Sequence, residues 1–141
     1  MKRFTTQKQK IGEIGEYIAR MFLVKHGFTI IETNYTKKIG EIDIIAKKNS
    51  VLHFVEVKSV SRRTASFNVS CETMQIRPEH QFHVKKFRRF AKTVQLYLAE
   101  KHVFPKTWPA PEIEWQIDLL TVYIDTNKRQ GRVIPFWNVV F

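Results

Sequence analysis

Two short segments of the chain place acidic and basic side chains inside otherwise apolar stretches. Residues 40–46 read GEIDIIA and residues 54–58 read FVEVK. Because side chains alternate between the two faces of a β-strand, Glu56 and Lys58 should share one face, and Glu41 and Asp43 should share one face of the preceding strand. A hairpin between these strands would bring Asp43 close to Glu56.

Such a group of carboxylates has a recognisable chemistry. Crowded carboxylates raise one another's pKa values unless a cation neutralises them, and hard oxygen ligands suit Mg²⁺ or Mn²⁺. The ion can lower the pKa of a bound water and stabilise charge on a phosphodiester, while Lys58 orients the water or offsets the developing charge. The pattern therefore indicates metal-dependent phosphodiester hydrolysis.

The simplest alternative is an ion pair between Glu56 and Lys58 on a solvated sheet face, which their spacing alone favours. The acids of segments 40–46 and 54–58 lie within strongly apolar strands, however, where an uncompensated charge is unfavourable. Burial of this kind favours a functional interpretation over a surface ion pair.

The surrounding pattern predicts the elements that position these residues. Helical spacing of apolar residues predicts a helix over 11–26 that ends at Gly27, and a second helix over 78–101 that begins at Pro78. Strands are predicted at 28–33, 39–46, 51–58, 113–124 and 133–141, with turns at 34–38 and 47–50, a long loop at 59–77 and a connector at 104–112. These elements predict one α/β domain over 1–141, a mixed sheet of about five strands flanked by helices.

Composition narrows the class of protein. With 24 Lys and Arg against 13 Asp and Glu, the formal net charge is +11, which favours a polyanionic partner such as nucleic acid or acidic lipid. The N-terminus is basic but has no apolar signal region, and no apolar run is long enough to span a membrane. Cys71 is the only cysteine, which excludes an intrachain disulfide and a cysteine zinc cluster. We therefore expect a cytoplasmic protein.

Basic residues cluster near the predicted acids and on the second helix. They are Arg62, Arg63, Lys85, Lys86, Arg88, Arg89 and Lys92. A band of this kind is often only a solvated face, but beside an acid-lysine cluster it indicates a track for phosphates. Elsewhere, His53 is expected beside apolar neighbours, and Asp118 is expected to bind backbone or a basic side chain.

The two segments resemble the PD-(D/E)XK nuclease motif, and a longer pattern is similar to the YraN-type family, bacterial proteins related to archaeal Holliday-junction resolvases. The similarity includes Gly15-Glu16 followed by Ala19, the helix end at Gly27, Asn34-Tyr35, segments 40–46 and 54–58, the basic second helix and the closing strands.

The resemblance implies a restriction-endonuclease-like fold, a nucleic-acid substrate and a divalent metal, Mg²⁺ or Mn²⁺. It implies Asp43 and Glu56 as metal ligands, Lys58 as the catalytic lysine and Glu16 as an additional acid. We also expect the main-chain carbonyl of Val57 among the ligands, with Glu41 supporting them from nearby.

Two positions depart from the family pattern. Val60 and Thr36 stand where relatives usually carry arginine. Two hypotheses follow. The first is an Mg²⁺-dependent endonuclease acting on branched or structured DNA, for which the similarity to resolvases suggests a homodimer that cuts two strands symmetrically. The second is a nucleic-acid-binding protein whose nuclease-like fold does not cleave. The charge equally permits an RNA or ribosome partner, although DNA is favoured.

Overall fold

The computed structural model describes residues 6–62, 82–101 and 113–140. These residues form two helices and five strands in the order α1 (Gln7–Lys25), β1 (Thr29–Lys37), β2 (Gly40–Lys48), β3 (Val51–Arg62), α2 (Val84–Glu100), β4 (Trp115–Asp125) and β5 (Gln130–Phe136). The strands form one sheet in the order β1-β2-β3-β4-β5. Strands β3 and β4 pair in parallel and all other neighbours are antiparallel. The predicted mixed α/β sheet of about five strands flanked by helices is confirmed.

Each face of the sheet is covered by one helix and carries its own apolar core. Helix α2 packs through Phe90, Val94 and Leu98 against a face that includes Ile45 and Phe54. Helix α1 covers the opposite face, where its buried residues Ile11, Ala19 and Leu23 meet side chains such as Ile44, Val55 and Leu120. Alternation along β3 therefore sends Phe54 to one core and Val55 to the other.

Both ends of α1 have clear sequence causes. At its start, the Thr6 hydroxyl accepts from Gln9 N–H and the Gln9 side chain accepts from Thr6 N–H, which is a capping box. At its end, Gly27 has φ of 87°, and Phe28 N–H donates to the Leu23 carbonyl. That backbone conformation suits glycine and closes the helix. The predicted termination at Gly27 is confirmed.

The two hairpins that carry the acids are tighter than predicted. Strand β1 continues to Lys37, which pairs with Gly40, so the first turn is Lys38 and Ile39 and not residues 34–38. The second turn is Asn49 and Ser50, both with positive φ, between the paired residues Lys48 and Val51. Two-residue turns with positive φ match the twist of antiparallel strands, and asparagine tolerates that conformation.

Two further boundaries differ from the prediction. Strand β3 runs on through Arg62 because β4 pairs with it to the end, Arg62 opposite Asp125, so residues 59–62 are strand and not loop. Helix α2 begins at Val84, since the backbone of His83 is extended, with ψ of 146°. The predicted start at Pro78, most of the loop at 59–77 and the connector at 104–112 lie outside the described residues. Neither α1 nor α2 is long and apolar enough to cross a membrane.

Candidate metal and nucleic-acid site

The acids lie where strands β2 and β3 stop pairing. Antiparallel pairing between these strands ends at Ile44 opposite Val55, so Asp43 and Glu56 are the next residues beyond the last pair. The Asp43 carboxylate turns to the neighbouring backbone, and its Oδ2 accepts a hydrogen bond of 2.7 Å from Val57 N–H. This bond fixes Asp43 beside Glu56 at an opening in the sheet.

Asp43 and Glu56 form a tightly coupled pair of carboxyl groups. Glu56 is 6% exposed, and its negative charge opposes ionisation of the neighbouring Asp43 carboxyl. Burial raises the pKa of Asp43 to about 8, and the negative charge of Glu56 is the second cause of this rise. The hydrogen bond from Val57 N–H lowers the pKa but does not offset these two effects. Burial and the neighbouring negative charge therefore favour a proton on Asp43 near neutral pH unless a cation compensates the two acids.

The pair opens into a cleft of about 340 Å³, which we call the acid cleft. Its lining residues are Gly40, Glu41, Asp43, Glu56, Val57, Lys86, Arg89 and Phe90. The structure therefore brings together three of the acids expected from strand alternation, with Glu41 exposed at the rim.

Helix α2 contributes a cation directly to the acids. The Lys86 ammonium makes an ion pair with Glu56 Oε1, and Arg89 lies one helical turn further along the same cleft. The helix reaches this position because Gly40 has no side chain: a Cβ there would lie 2.7 Å from Thr93 Oγ1 and 3.5 Å from the Arg89 carbonyl oxygen. The close approach at Gly40 thus places Lys86 over the acid pair.

Glu16 enters the site from helix α1. The neighbouring Gly15 packs so tightly on β3 that a Cβ there would lie 1.7 Å from Ser59 Oγ. Glu16 is partly buried, and this burial is the largest cause of its raised pKa. The negative charges of Glu41 and Glu56 also raise the pKa, whereas the positive charge of Arg20 lowers it. Glu16 is therefore close enough to Glu41 and Glu56 for their negative charges to oppose its ionisation.

Lys58 faces a second cavity that adjoins the acid cleft. This side cavity, of about 200 Å³, is lined by Lys8, Ile11, Gly12, Glu16, Val57, Lys58, Ser59 and Lys86. Lys58 is exposed there, whereas Glu56 is buried in the acid cleft. Val57 and Lys86 line both cavities. They therefore lie between Lys58 in the side cavity and the Asp43 and Glu56 carboxyl groups in the acid cleft.

The donor set suits an ion that takes few ligands from the protein. Across residues 6–62, 82–101 and 113–140, no group of three or more His, Cys, Asp or Glu side chains is placed to hold a metal ion. Mg²⁺ commonly keeps several waters and binds through one or two carboxylates, which Asp43 and Glu56 can provide. Glu56 already contacts a cation, the Lys86 ammonium, so the pair is chemically fitted to positive charge.

The predicted basic residues separate into two groups on α2. Lys86 and Arg89 line the acid cleft, whereas Lys85, Arg88 and Lys92 are exposed and line neither cavity. The side chain of Arg62 and all of Arg63 lie outside what the structure describes. Of the five predicted cations on α2, two therefore line the acid cleft.

Two polar residues of the core have a structural role. Asp118 is fully buried and accepts from Asn138 N–H and from the Gln116 amide, which confirms the predicted backbone contact. His53 Nδ1 lies 2.6 Å from Asp118 Oδ2, and the ring also packs on Phe28. The packing of His53 on apolar Phe28 is as expected. Its contact with Asp118 was not predicted, and it arises because a buried carboxylate needs polar partners.

The contact between Lys86 and Glu56 was missed from the sequence. Lys86 was expected only as one member of a basic band facing nucleic acid. The helical spacing of Lys86, Phe90 and Val94 could have indicated it, since Phe90 and Val94 are core residues and Lys86 continues their line along the helix.

Comparison with known proteins agrees with the resemblance. Residues 15–122 match the model of the uncharacterised protein family UPF0102. A UPF0102 protein of Campylobacter hominis is 34% identical over 124 residues, covering 88% of this chain and 89% of the relative. One from Campylobacter fetus is 39% identical over 114 residues, covering 81% and 82%. One from Alkaliphilus metalliredigens is 44% identical over 75 residues, covering 53% of this chain and 64% of the relative. The chain belongs to the UPF0102 family.

Proposed function

We propose that this protein is an Mg²⁺-dependent endonuclease that hydrolyses phosphodiester bonds in branched or otherwise structured DNA. The observation that carries the proposal is the pairing of partly buried Asp43 with buried Glu56 at the opening between β2 and β3, in a cleft edged by Lys86 and Arg89. An acid pair of this kind beside cations suits one bound cation and a phosphate together.

Each residue has a role that follows from its place. Asp43 and Glu56 would hold the ion, which when bound supplies an activated water and stabilises charge on the phosphate. The Val57 N–H fixes the orientation of the Asp43 carboxylate. Arg89 can contact phosphate oxygens at the rim of the acid cleft, and Lys58, from the side cavity, can orient water or offset developing charge.

The test is a cleavage assay with four-way junctions and linear duplexes of matched sequence, in Mg²⁺ or Mn²⁺. Glu56→Gln should lower cleavage by at least about 100-fold, because it removes a charge needed for the ion. Glu114→Gln is the matched control, since Glu114 is exposed and lines neither cavity. Equal cleavage by the two variants would rule out the assignment. Preference for the junction over the duplex tests the substrate class, and sedimentation of the same samples tests the homodimer.

The second candidate is a nucleic-acid-binding protein that does not cleave. It is favoured by Thr36 and Val60 at the two positions where arginine is expected. Thr36 pairs with Glu41, and its hydroxyl donates to the Asn34 carbonyl, so no cation from this position reaches the cleft rim. Salt-sensitive DNA binding without saturable Mn²⁺ binding would support this function over the endonuclease.

A further inference from the structure

We infer that Lys86 competes with the divalent cation for Glu56 and thereby sets the metal affinity of the acid cleft. The inference rests on the proposed function and concerns the regulation of the same site. It assigns Lys86 a role beyond that of one more basic residue facing nucleic acid.

The first ground is the contact itself. Glu56 has two close neighbours: the carboxyl of Asp43, the next residue beyond the last β2–β3 pair, and the Lys86 ammonium, which pairs with its Oε1. The side chain of Glu56 is 8% exposed, so its charge has little access to water and needs a partner within the protein or a bound ion. Lys86 provides that partner from a neighbouring element.

The second ground is charge. An ammonium and a divalent ion on the same carboxylate would lie within a few ångströms of each other beside the buried Glu56 side chain, where like charges repel. Binding of a divalent ion to Glu56 therefore has to displace the Lys86 ammonium. The free energy needed to break the ion pair between Lys86 and Glu56 therefore reduces the binding free energy of the divalent cation.

The third ground is that Lys86 has somewhere to move. Its side chain is 53% exposed and lines the side cavity as well as the acid cleft. The side cavity contains Glu16, whose carboxyl can accept the ammonium, and it opens to solvent where a phosphate can also reach it. A long, flexible lysine side chain suits such an exchange between two positions.

Lys86→Met tests the inference by removing the charge and keeping most of the side-chain volume. Calorimetric titration with Mn²⁺ should show roughly fivefold tighter binding than the unchanged protein, the effect expected when a competing, partly exposed ion pair is lost. Lys86→Arg keeps the charge and should stay within about twofold of the unchanged protein. Lys85→Met loses the same net charge from an exposed site outside both cavities and is the matched control.

Thermal unfolding in the presence of a chelator gives a second readout without metal. Lys86→Met should unfold at a lower temperature than Lys85→Met, because Glu56 is left buried without a cation, and saturating Mn²⁺ should remove the difference.

Equal Mn²⁺ affinity in the Lys86→Met and Lys85→Met variants would overturn the inference and leave the proposed function standing. Equal unfolding temperatures in chelator would also overturn it. Absence of saturable Mn²⁺ binding in the unchanged protein and in Lys86→Met would overturn both the inference and the metal-dependent function.

Discussion

Asp43 is held where a negative charge is unfavourable. The residue is partly buried, its neighbour Glu56 carries the same charge, and the main favourable contact is one hydrogen bond from Val57 N–H. Folding supplies the free energy that keeps these groups together. The strain between the two carboxyl groups is relieved by a proton or by a cation, which makes the site responsive to both.

A pH dependence of stability follows from Asp43. Its pKa is raised from 3.8 to about 8, so between these values the folded protein keeps a proton that the unfolded chain releases. The contribution of Asp43 to the free energy of unfolding is therefore full below pH 3.8. It falls as pH rises above that value and is lost once pH has passed through about 8.

We expect the unfolding temperature of the unchanged protein to fall more steeply than that of Asp43→Asn between about pH 5.5 and 8.5, since asparagine does not titrate. Thermal unfolding followed by circular dichroism in a chelator measures both curves. Parallel curves for the two proteins would contradict the raised pKa.

Glu16 allows function to be separated from folding. Its pKa is raised by burial and by Glu41, so its charged form is disfavoured in the folded protein. Glu16→Gln should therefore leave the unfolding temperature unchanged or slightly higher, yet lower cleavage by about tenfold or more, as loss of a supporting acid does. Glu13→Gln, from an exposed position on the same helix, is the control in both measurements. Equal cleavage by the two variants would remove Glu16 from the site.

At the scale of single residues, the sequence predicted which acids lie close together but not all the residues that they contact. Strand alternation correctly brought Glu41, Asp43 and Glu56 to one cleft, because period-two geometry within a hairpin is local. It could not show that Lys58 faces the side cavity or that Lys86 contacts Glu56. Those relations depend on how α1 and α2 pack on the sheet, and packing is not encoded in short spacing.

The contact between α1 and β3 is the most demanding packing feature near the site. Gly15 lies so close to Ser59 that any side chain at position 15 would collide with the Ser59 hydroxyl. This contact sets the distance between the helix that carries Glu16 and the strand that carries Glu56 and Lys58.

Gly15→Ala should lower the free energy of unfolding by about 1 to 3 kcal/mol, despite the better helix propensity of alanine, because the clash forces the helix away from the strand. Urea unfolding measures the change. Adding Ser59→Gly removes both the hydroxyl and the Cβ that lies 2.8 Å away, so the double variant should recover part of the loss. Gly12→Ala is the control, since a Cβ at Gly12 meets nothing within 4 Å. A Gly15→Ala variant as stable as Gly12→Ala would contradict this packing.

Element boundaries were predictable where local chemistry decides them. Gly27 ends α1 because its positive φ closes the helix, and this was clear from the sequence. The end of β3 was not, because its last residues Ser59 to Arg62 have loop-like composition and become strand only by pairing with β4. Pairing between strands distant in the sequence overrides local preference.

The charge of the whole molecule gives a distinct prediction. The net charge is +11, and exposed Lys85, Arg88 and Lys92 lie on α2 outside the acid cleft. If DNA lies along this helix, replacing all three with Gln should weaken binding for every sequence tested. It should also reduce the slope of log affinity against log salt by about 2 to 3, one counterion per lost phosphate contact.

Fluorescence anisotropy at several salt concentrations measures this slope. The control is the triple variant Lys25→Gln, Lys47→Gln and Lys128→Gln, which removes the same charge from exposed positions outside α2 and both cavities. Equal slopes for the two triple variants would show that overall charge, and not helix α2, determines binding.

The cations around the acid cleft also bear on the order in which reactants arrive under the proposed function. Lys86 and Arg89 border the acids on one side, and Lys8 and Lys58 border the adjoining cavity. A free divalent ion approaching this entrance is repelled by these cations, whereas a nucleic acid that carries the ion keeps a net negative charge and is attracted by them. The arrangement favours joint entry of metal and nucleic acid, so each should slow the departure of the other.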